Sequence, residues 1–218
     1  MFKKRMLTLF LLLTLVALAL CACGDSTQPG NQDDSEDHSS GEIVYGGEIV
    51  VGIAQDLEDS LDPYQMVAAG TREVLFNLFE GLVKPNSAGD YVPAVASDYS
   101  ISDDRLTYTF TLRDGVLFHN GETVTADDVL YSFETCASTT IDLSLQAALE
   151  GIQDISAEGN TVTITLTEPN NDFISYVAGV YIIPQDYADQ ATNPVGTGPF
   201  HFVSRSIQEE LVLSLIHI

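Results

Sequence analysis

The sequence predicts a mixed α/β fold, on three observations. Leu106, Tyr108, Phe110 and Leu112 alternate with Thr107, Thr109 and Thr111, the period of two that marks a half-buried strand. Val129, Phe133 and Cys136 recur at helical spacing behind Thr125-x-x-Asp128, which has the arrangement of a capping box. Strands, hairpins and helices then follow one another in no strict βαβ rhythm, which points to an α/β sandwich with a β-rich subdomain.

The elements follow in order. Glu48 to Ala54 reads as the first strand, with Ile49, Val51 and Ile53 on one face. Asp56 to Tyr64 is a loop ending in Leu61-Asp62-Pro63-Tyr64. Gly70 to Leu82 is expected to be helical, because Val74, Leu75, Leu78, Phe79 and Leu82 form one stripe. Asn86 to Asp90 is turn chemistry between Leu82-Val83 and Tyr91-Val92, a hairpin signal. Pro93 to Ser97 leads toward Tyr99 and Ile101. The Leu106 strand ends in Asp114-Gly115 and Asn120-Gly121, pairs that tolerate positive φ. The Thr125 helix comes next, then a weaker helix over Ile141 to Glu150. Ile152 to Ser156 and Thr161 to Thr167 flank Glu158-Gly159-Asn160 as a second hairpin. Asn171 to Ala178 is a short helix, and Tyr181 to Pro184 and Phe200 to Val203 are strands.

Composition excludes more than it assigns. The chain carries 8 Lys and Arg against 32 Asp and Glu, a formal charge of −24. Lys3, Lys4 and Arg5 sit at the extreme N-terminus, so the remainder is more acidic still, with only Arg72, Lys84, Arg105, Arg113 and Arg205 as fixed cations. Nucleic acid is excluded as a partner, because the phosphate attraction that dominates such binding is missing. The acid excess reads as a solvated surface. Cys136 lies at core spacing on its helix and reads as a small buried hydrophobe. No catalytic set or metal site is expected: His38, His119, His201 and His217 have no nucleophile or metal-spaced partner. His119 closes the turn before Gly121, and Asp127 and Asp128 are helix-start acids favoured by the dipole. Gly196-Thr197-Gly198-Pro199 reads as a tight turn, two glycines for unusual φ and a proline to fix the next residue. The competing phosphate cradle lacks a following Lys.

The two ends differ from the middle. Residues 1–22 have the layout of a lipoprotein signal: basic Lys3-Lys4-Arg5, an apolar run from Met6 to Leu20, then Leu20-Cys21-Ala22-Cys23. Cys23 would carry the lipid; Cys21 is a poorer acceptor because bulky Leu20 precedes it. The alternative is an uncleaved membrane anchor, with an apolar run slightly short for a full span. Residues 23–46 form an acidic flexible tether, stretched by Asp33, Asp34, Glu36 and Asp37. Residues 213–218, Leu213-Ser214-Leu215-Ile216-His217-Ile218, resemble a translated sequencing-library adapter, which would put an interruption of the natural frame near Leu213. The alternative is a genuine apolar strand over Leu211 to Ile218.

Four runs stand in a recognisable order: Ser60-Leu61-Asp62-Pro63, Leu78-Phe79-Glu80-Gly81-Leu82, the Leu106–Phe133 strand-turn-helix, and Asn193-Pro194-Val195-Gly196-Thr197-Gly198-Pro199-Phe200. Together they resemble the family 5 solute-binding proteins of ABC importers, the group of dipeptide- and oligopeptide-binding proteins. The resemblance runs from Tyr45 to about Leu211. It implies a two-lobed, class II periplasmic-binding-protein-like α/β fold holding a solute between its lobes. Residues 47–82 would open lobe I, residues 83–178 form its accessory β-rich subdomain, and residues 179–212 return to lobe I. The second lobe would be absent, so the chain alone would bind its solute poorly. The implied function is extracytoplasmic capture of peptides or similar small solutes, delivered to ABC permease subunits with their ATPases. A lipid anchor would hold the protein on the outer face of the cytoplasmic membrane, and no cofactor is implied. In peptide-binding relatives the segment after the Asp-Pro motif lines the cleft; here that is Val67, Ala68, Ala69 and Gly70, whose small side chains suit strand addition. An ordinary loop before a helix is the competing reading. Tyr64 and Tyr181 are further aromatic candidates. Nickel, haem, an oligosaccharide or a signalling peptide are alternative ligands within the family, and a surface hydrolase is the distant alternative.

Overall fold

The computed structural model describes Gly46 to Ile216, so the leader, Cys23, His38, nearly all of the tether and the last two residues lie outside the described residues. The chain divides into two units, Met1–Ile49 and Val50–Ile218, and every element below belongs to the second. In order these are α1 (Ala69–Leu75), β1 (Val83–Pro85), β2 (Tyr91–Pro93), β3 (Ala96–Ile101), β4 (Thr107–Leu112), α2 (Ala126–Thr139), α3 (Leu143–Glu150), β5 (Ile152–Glu158), β6 (Thr161–Leu166), α4 (Phe173–Val177), β7 (Phe200–Ser206) and β8 (Glu210–Leu215).

The centre is a four-stranded antiparallel sheet in the order β3-β4-β6-β5. Its register places Tyr108 opposite Ile164 and Phe110 opposite Val162, so the alternating apolar residues of both strands share one face. That face is buried together with Val129, Phe133 and Cys136 of α2. Tyr99 stacks on Phe110 with ring centroids 5.9 Å apart, and Tyr108 meets Phe173 of α4 edge-on at 4.9 Å. The threonines of β4 and β6 pair with one another on the other face, Thr107 with Thr165, Thr109 with Thr163 and Thr111 with Thr161. Two antiparallel ribbons, β1-β2 and β7-β8, complete the strands.

Turn chemistry acts as expected. The Asn86 side chain accepts the N–H groups of Ala88 and Asp90, each at 2.9 Å, and Gly89 takes φ +89°. Gly115, Gly121 and Gly159 also have positive φ. At the start of α2 the Thr125 hydroxyl oxygen accepts the Asp128 N–H while the Asp128 carboxylate accepts the Thr125 N–H, a complete capping box.

Three expected elements differ. Residues 48–54 form no strand: Ile49 and Val51 are 89% and 74% exposed, and among the described residues the segment has no ladder partner. Alternation supplies a face, but a strand persists only where its backbone groups are paired. The expected Gly70–Leu82 helix stops at Leu75. The carbonyls beyond it are claimed from afar: Asn77 O by Phe200 N–H, Leu78 O by Gly198 N–H, Glu80 O by Ile182 N–H and Gly81 O by Val95 N–H, at 2.9–3.2 Å. Leu78, Phe79 and Leu82 are buried all the same. Tyr181 to Pro184 is not a strand either. The Ile183 N–H donates to the Ser132 hydroxyl of α2 at 2.9 Å, so a side chain does what a ladder would have done.

Over the last residues, β8 pairs with β7 from Glu210 to Leu215, and Ile216 N–H donates to Pro199 O at 2.8 Å.

Candidate functional site

The Val67–Gly70 segment is mounted between a braced turn and α1. Asp62 accepts the Tyr64 N–H at 2.9 Å through its side chain and the Gln65 N–H at 3.1 Å through its carbonyl. The Glu58 carboxylate receives the Val67 N–H at 2.9 Å and 3.1 Å. Val67 and Ala69 are exposed, Ala68 and Gly70 half-buried, and a side chain on Gly70 would meet open space. The segment is thus an accessible piece of chain on a rigid base, with one of its N–H groups already engaged.

Tyr64 does not share that exposure. It is buried, and its hydroxyl faces two carbonyls, Tyr181 O at 2.5 Å and Ser132 O at 3.1 Å. Burial pushes its phenol well above the usual tyrosine range. As placed, Tyr64 anchors the segment from below and offers no atom to a ligand. The Tyr181 ring is half-buried, tilted against Phe79 at 5.8 Å. Burial raises its phenol too, while the positive charge of Arg72 pulls the other way. Arg72 reaches back from α1 to Met66 O at 3.2 Å and to Asp142, the N-cap of α3, at 3.4 Å. Val67–Gly70, Arg72 and Tyr181 therefore belong to one neighbourhood.

A second constellation was not legible as one in the sequence. His119 reaches the Gly196–Gly198 loop: its N–H donates to Gly196 O at 3.0 Å, its Nδ1 accepts the Gly196 N–H at 3.3 Å, and its Nε2 lies 3.0 Å from Gly198 O. Burial holds its imidazole below the usual histidine range, the Gly198 bond opposes this, and His201 adds to it. The glycines are required by space and not by φ, which corrects the reading of this turn. A Cβ on Gly196 would stand 2.3 Å from Leu78 O, and one on Gly198 2.4 Å from Asn77 O, while neither has positive φ. Gln190 braces the same loop, its side chain bonding both the N–H and the carbonyl of Val195 at 2.8 Å. His119 and Gly196 are 77 residues apart, and no local signal joins them.

The remaining chemistry is structural. Among the described residues there is no cluster of three or more metal-donor side chains. Asp128 accepts from Thr125 and from Gln185 N–H at 3.0 Å, a tie between the start of α2 and the chain after Tyr181. Cys136 is buried, and burial, with Asp142 and Asp62 adding to it, pushes its thiol up to about 12. Two open concavities lie elsewhere, one of about 420 Å³ between Ser102, Arg105 and Asn171, the other of about 260 Å³ along Asp127, Tyr131 and Glu134. Neither is lined by Val67–Gly70.

Residues 90–214, more than half of the chain, match the family described as bacterial extracellular solute-binding proteins, family 5 Middle. The chain belongs to this family. The family 5 chain is 30% identical over 200 residues to the periplasmic murein peptide-binding protein MppA of Escherichia coli, covering 80% of this chain and 37% of that one. It is 30% identical over 229 residues to heme-binding protein A of Haemophilus influenzae, covering 88% of this chain and 40% of the relative. Among solved structures it is similar to the periplasmic binding protein DppA of Helicobacter pylori in complex with the peptide STSA. That likeness has a TM-score of 0.66 at 28% identity and covers 74% of this chain and 38% of that one. The fold is thus mixed α/β and matches part of the two-lobed periplasmic-binding-protein-like fold expected from the resemblance, and this family 5 chain spans about two fifths of the length of these relatives.

Proposed function

We propose that this protein is the solute-capturing component of an ABC importer, working outside the cytoplasm on peptides or similar small solutes. It hands them to permease subunits with their ATPases, and lipid on Cys23 tethers it to the membrane. Family membership carries this reading. What singles out peptides is the Val67–Gly70 segment, small, accessible and set on the buried Tyr64 anchor, where an extended ligand backbone can lie alongside. Tyr181 and Arg72 flank it. Tyr64 is kept in the proposal as the support of that segment and not as a contact. The division proposed with it keeps residues 47–82 and 179–212 in lobe I and residues 83–178 as the accessory subdomain, whose four-stranded sheet and α2 share one core. A ligand held between two lobes favours the closed form by its contacts to both.

The test is isothermal titration of a defined tri- to pentapeptide mixture into the protein extended to the length of its relatives, with Ala68→Trp as the blocking variant. Saturable binding is expected, with affinity reduced at least tenfold in Ala68→Trp. Equal binding by both proteins removes Val67–Gly70 from the site. Binding of haem or nickel with no response to peptide overturns the peptide assignment in favour of another solute of the family; the haem-binding relative keeps that alternative in view.

A further inference from the structure

The turn from Asp114 to Gly121 sets His119 against the Gly196–Gly198 loop, and its two ring nitrogens face opposite demands. A backbone N–H only donates, so the Nδ1 that meets Gly196 N–H at 3.3 Å is bare. A carbonyl only accepts, so the Nε2 that lies 3.0 Å from Gly198 O carries the hydrogen. The ring is therefore neutral and in one tautomer. The His119 backbone N–H is bonded to Gly196 O at 3.0 Å, so the chain that carries the ring is tied to the same loop. A proton added at Nδ1 would set N–H against N–H.

We propose that His119 is a proton-sensitive clasp: neutral, it holds the Gly196–Gly198 loop onto Asn77 and Leu78; protonated, it releases it. The loop's other ties include Gly198 N–H to Leu78 O at 2.9 Å and Phe200 N–H to Asn77 O at 3.1 Å, which fasten it to the chain just after α1, besides the Gln190 brace on Val195 and the Ile216 N–H on Pro199 O. Val67–Gly70 leads into the other end of α1. The titratable group that faces His119 from β7 is His201, with ring centroids 6.3 Å apart, and its charge disfavours one on His119. On the same turn Asp114 is bonded by Asn160 and Glu122 by Asn120, each at 2.7 Å, and Arg113 is exposed. Asn77–Phe79 and Gly196–Pro199 carry no titratable side chain.

The sign follows from burial. The folded state takes up the proton on His119 at lower pH than the unfolded chain does. The clasp's contribution is complete above the ordinary histidine value of about 6.5 and is lost as pH falls from there through the lower folded value. Within that window the loss is about tenfold in the folded-to-released ratio per pH unit.

The experiment is long-range proton–nitrogen NMR on the whole chain with labelled histidine, followed from about pH 7.5 downward across the histidine range. The expected result is an Nε2–H tautomer for His119, a titration midpoint below the ordinary value, and a Gly196 amide that shifts with the same midpoint. Hydrogen-exchange protection of the Gly198 and Phe200 amides, corrected for intrinsic rate, falls about tenfold per pH unit in the same window. An Nδ1–H tautomer, a midpoint at or above the ordinary value, or an unmoved Gly196 amide overturns the proposal. His119→Gln is expected to flatten the protection profile. A decline that persists in that variant with the same midpoint assigns the proton to another group, His201 first, and also overturns it. Should the variant fail to fold, the tautomer and the Gly196 amide of the unaltered chain decide.

Discussion

Gly198 has room for a hydrogen and nothing larger, because a Cβ there would lie 2.4 Å from Asn77 O and 2.5 Å from the Leu78 carbonyl carbon. Those are backbone atoms, with Asn77 O held by Phe200 N–H and Leu78 O by Gly198 N–H, so they cannot yield cheaply. Gly198→Ala is expected to lower the stability of the chain by about 2–3 kcal/mol, read as a shift in the urea midpoint with unchanged slope. Gly70→Ala, which adds a methyl to open space, should shift it little. Cys136 makes a second prediction at this scale. With its thiol pushed up to about 12, almost none is thiolate in mild alkali. In the folded chain the Cys136 peptide should resist iodoacetamide at about pH 8 and should be alkylated within minutes in denaturant, as mass spectrometry would show. Fast labelling of the folded chain would remove Cys136 from the core. The burial of Cys136 was legible from helical spacing alone. The reason for the glycines was not, since a short sequence cannot reveal which distant backbone will press against it.

The helix α2 carries its own start signal and also a distant tie. Thr125 and Asp128 close the capping box, and Asp128 additionally accepts the Gln185 N–H at 3.0 Å. Thr125→Ala is therefore expected to cost about 1 kcal/mol, the usual worth of an N-cap. Asp128→Ala should cost more, about 2–3 kcal/mol, because it removes the buried acceptor of three part-buried hydrogen bonds, from Thr125 N–H, Thr125 Oγ1 and Gln185 N–H. Equal losses in the two variants, measured by urea unfolding, would show that the tie to Gln185 contributes nothing. Elements defined by local chemistry were read correctly: both hairpins, the β4 alternation, α2 with its cap, and α3, expected from Ile141 and formed from Leu143. Elements that depend on partners were not. The apolar stripe from Val74 to Leu82 is real, yet only its first half is helical, because long-range N–H groups claim the carbonyls of Asn77, Leu78, Glu80 and Gly81. Hydrophobic spacing reports which residues go inside, and both a helix and a buried crossing can satisfy it.

At the scale of the whole molecule the charge is −24 over 218 residues, and the buried apolar residues of the described part form one continuous core. Such a surface gives no purchase to anionic membranes through charge, so the proposed membrane attachment rests on the N-terminal segment. Cys23→Ala is expected to release the protein from the membrane fraction into the soluble one on cell fractionation, since loss of acyl chains removes about 0.8 kcal/mol per buried methylene. Retention of the variant on membranes would favour an uncleaved anchor and overturn the lipid assignment. The sequence by itself determined the fold class, the family, the acidic character and the buried faces of α2, β4 and β6, because periodicity, turn residues and ordered motifs are local properties of the chain. Through the resemblance to peptide-binding relatives it also implied Val67–Gly70 as the ligand face proposed above. Only the tertiary structure decided that Tyr64 is an anchor beneath that face, that residues 48–54 stand without a partner, and that His119 closes on Gly196 and Gly198. Those outcomes depend on which carbonyls and N–H groups meet across dozens of residues, and a buried polar group takes the partner the fold brings to it.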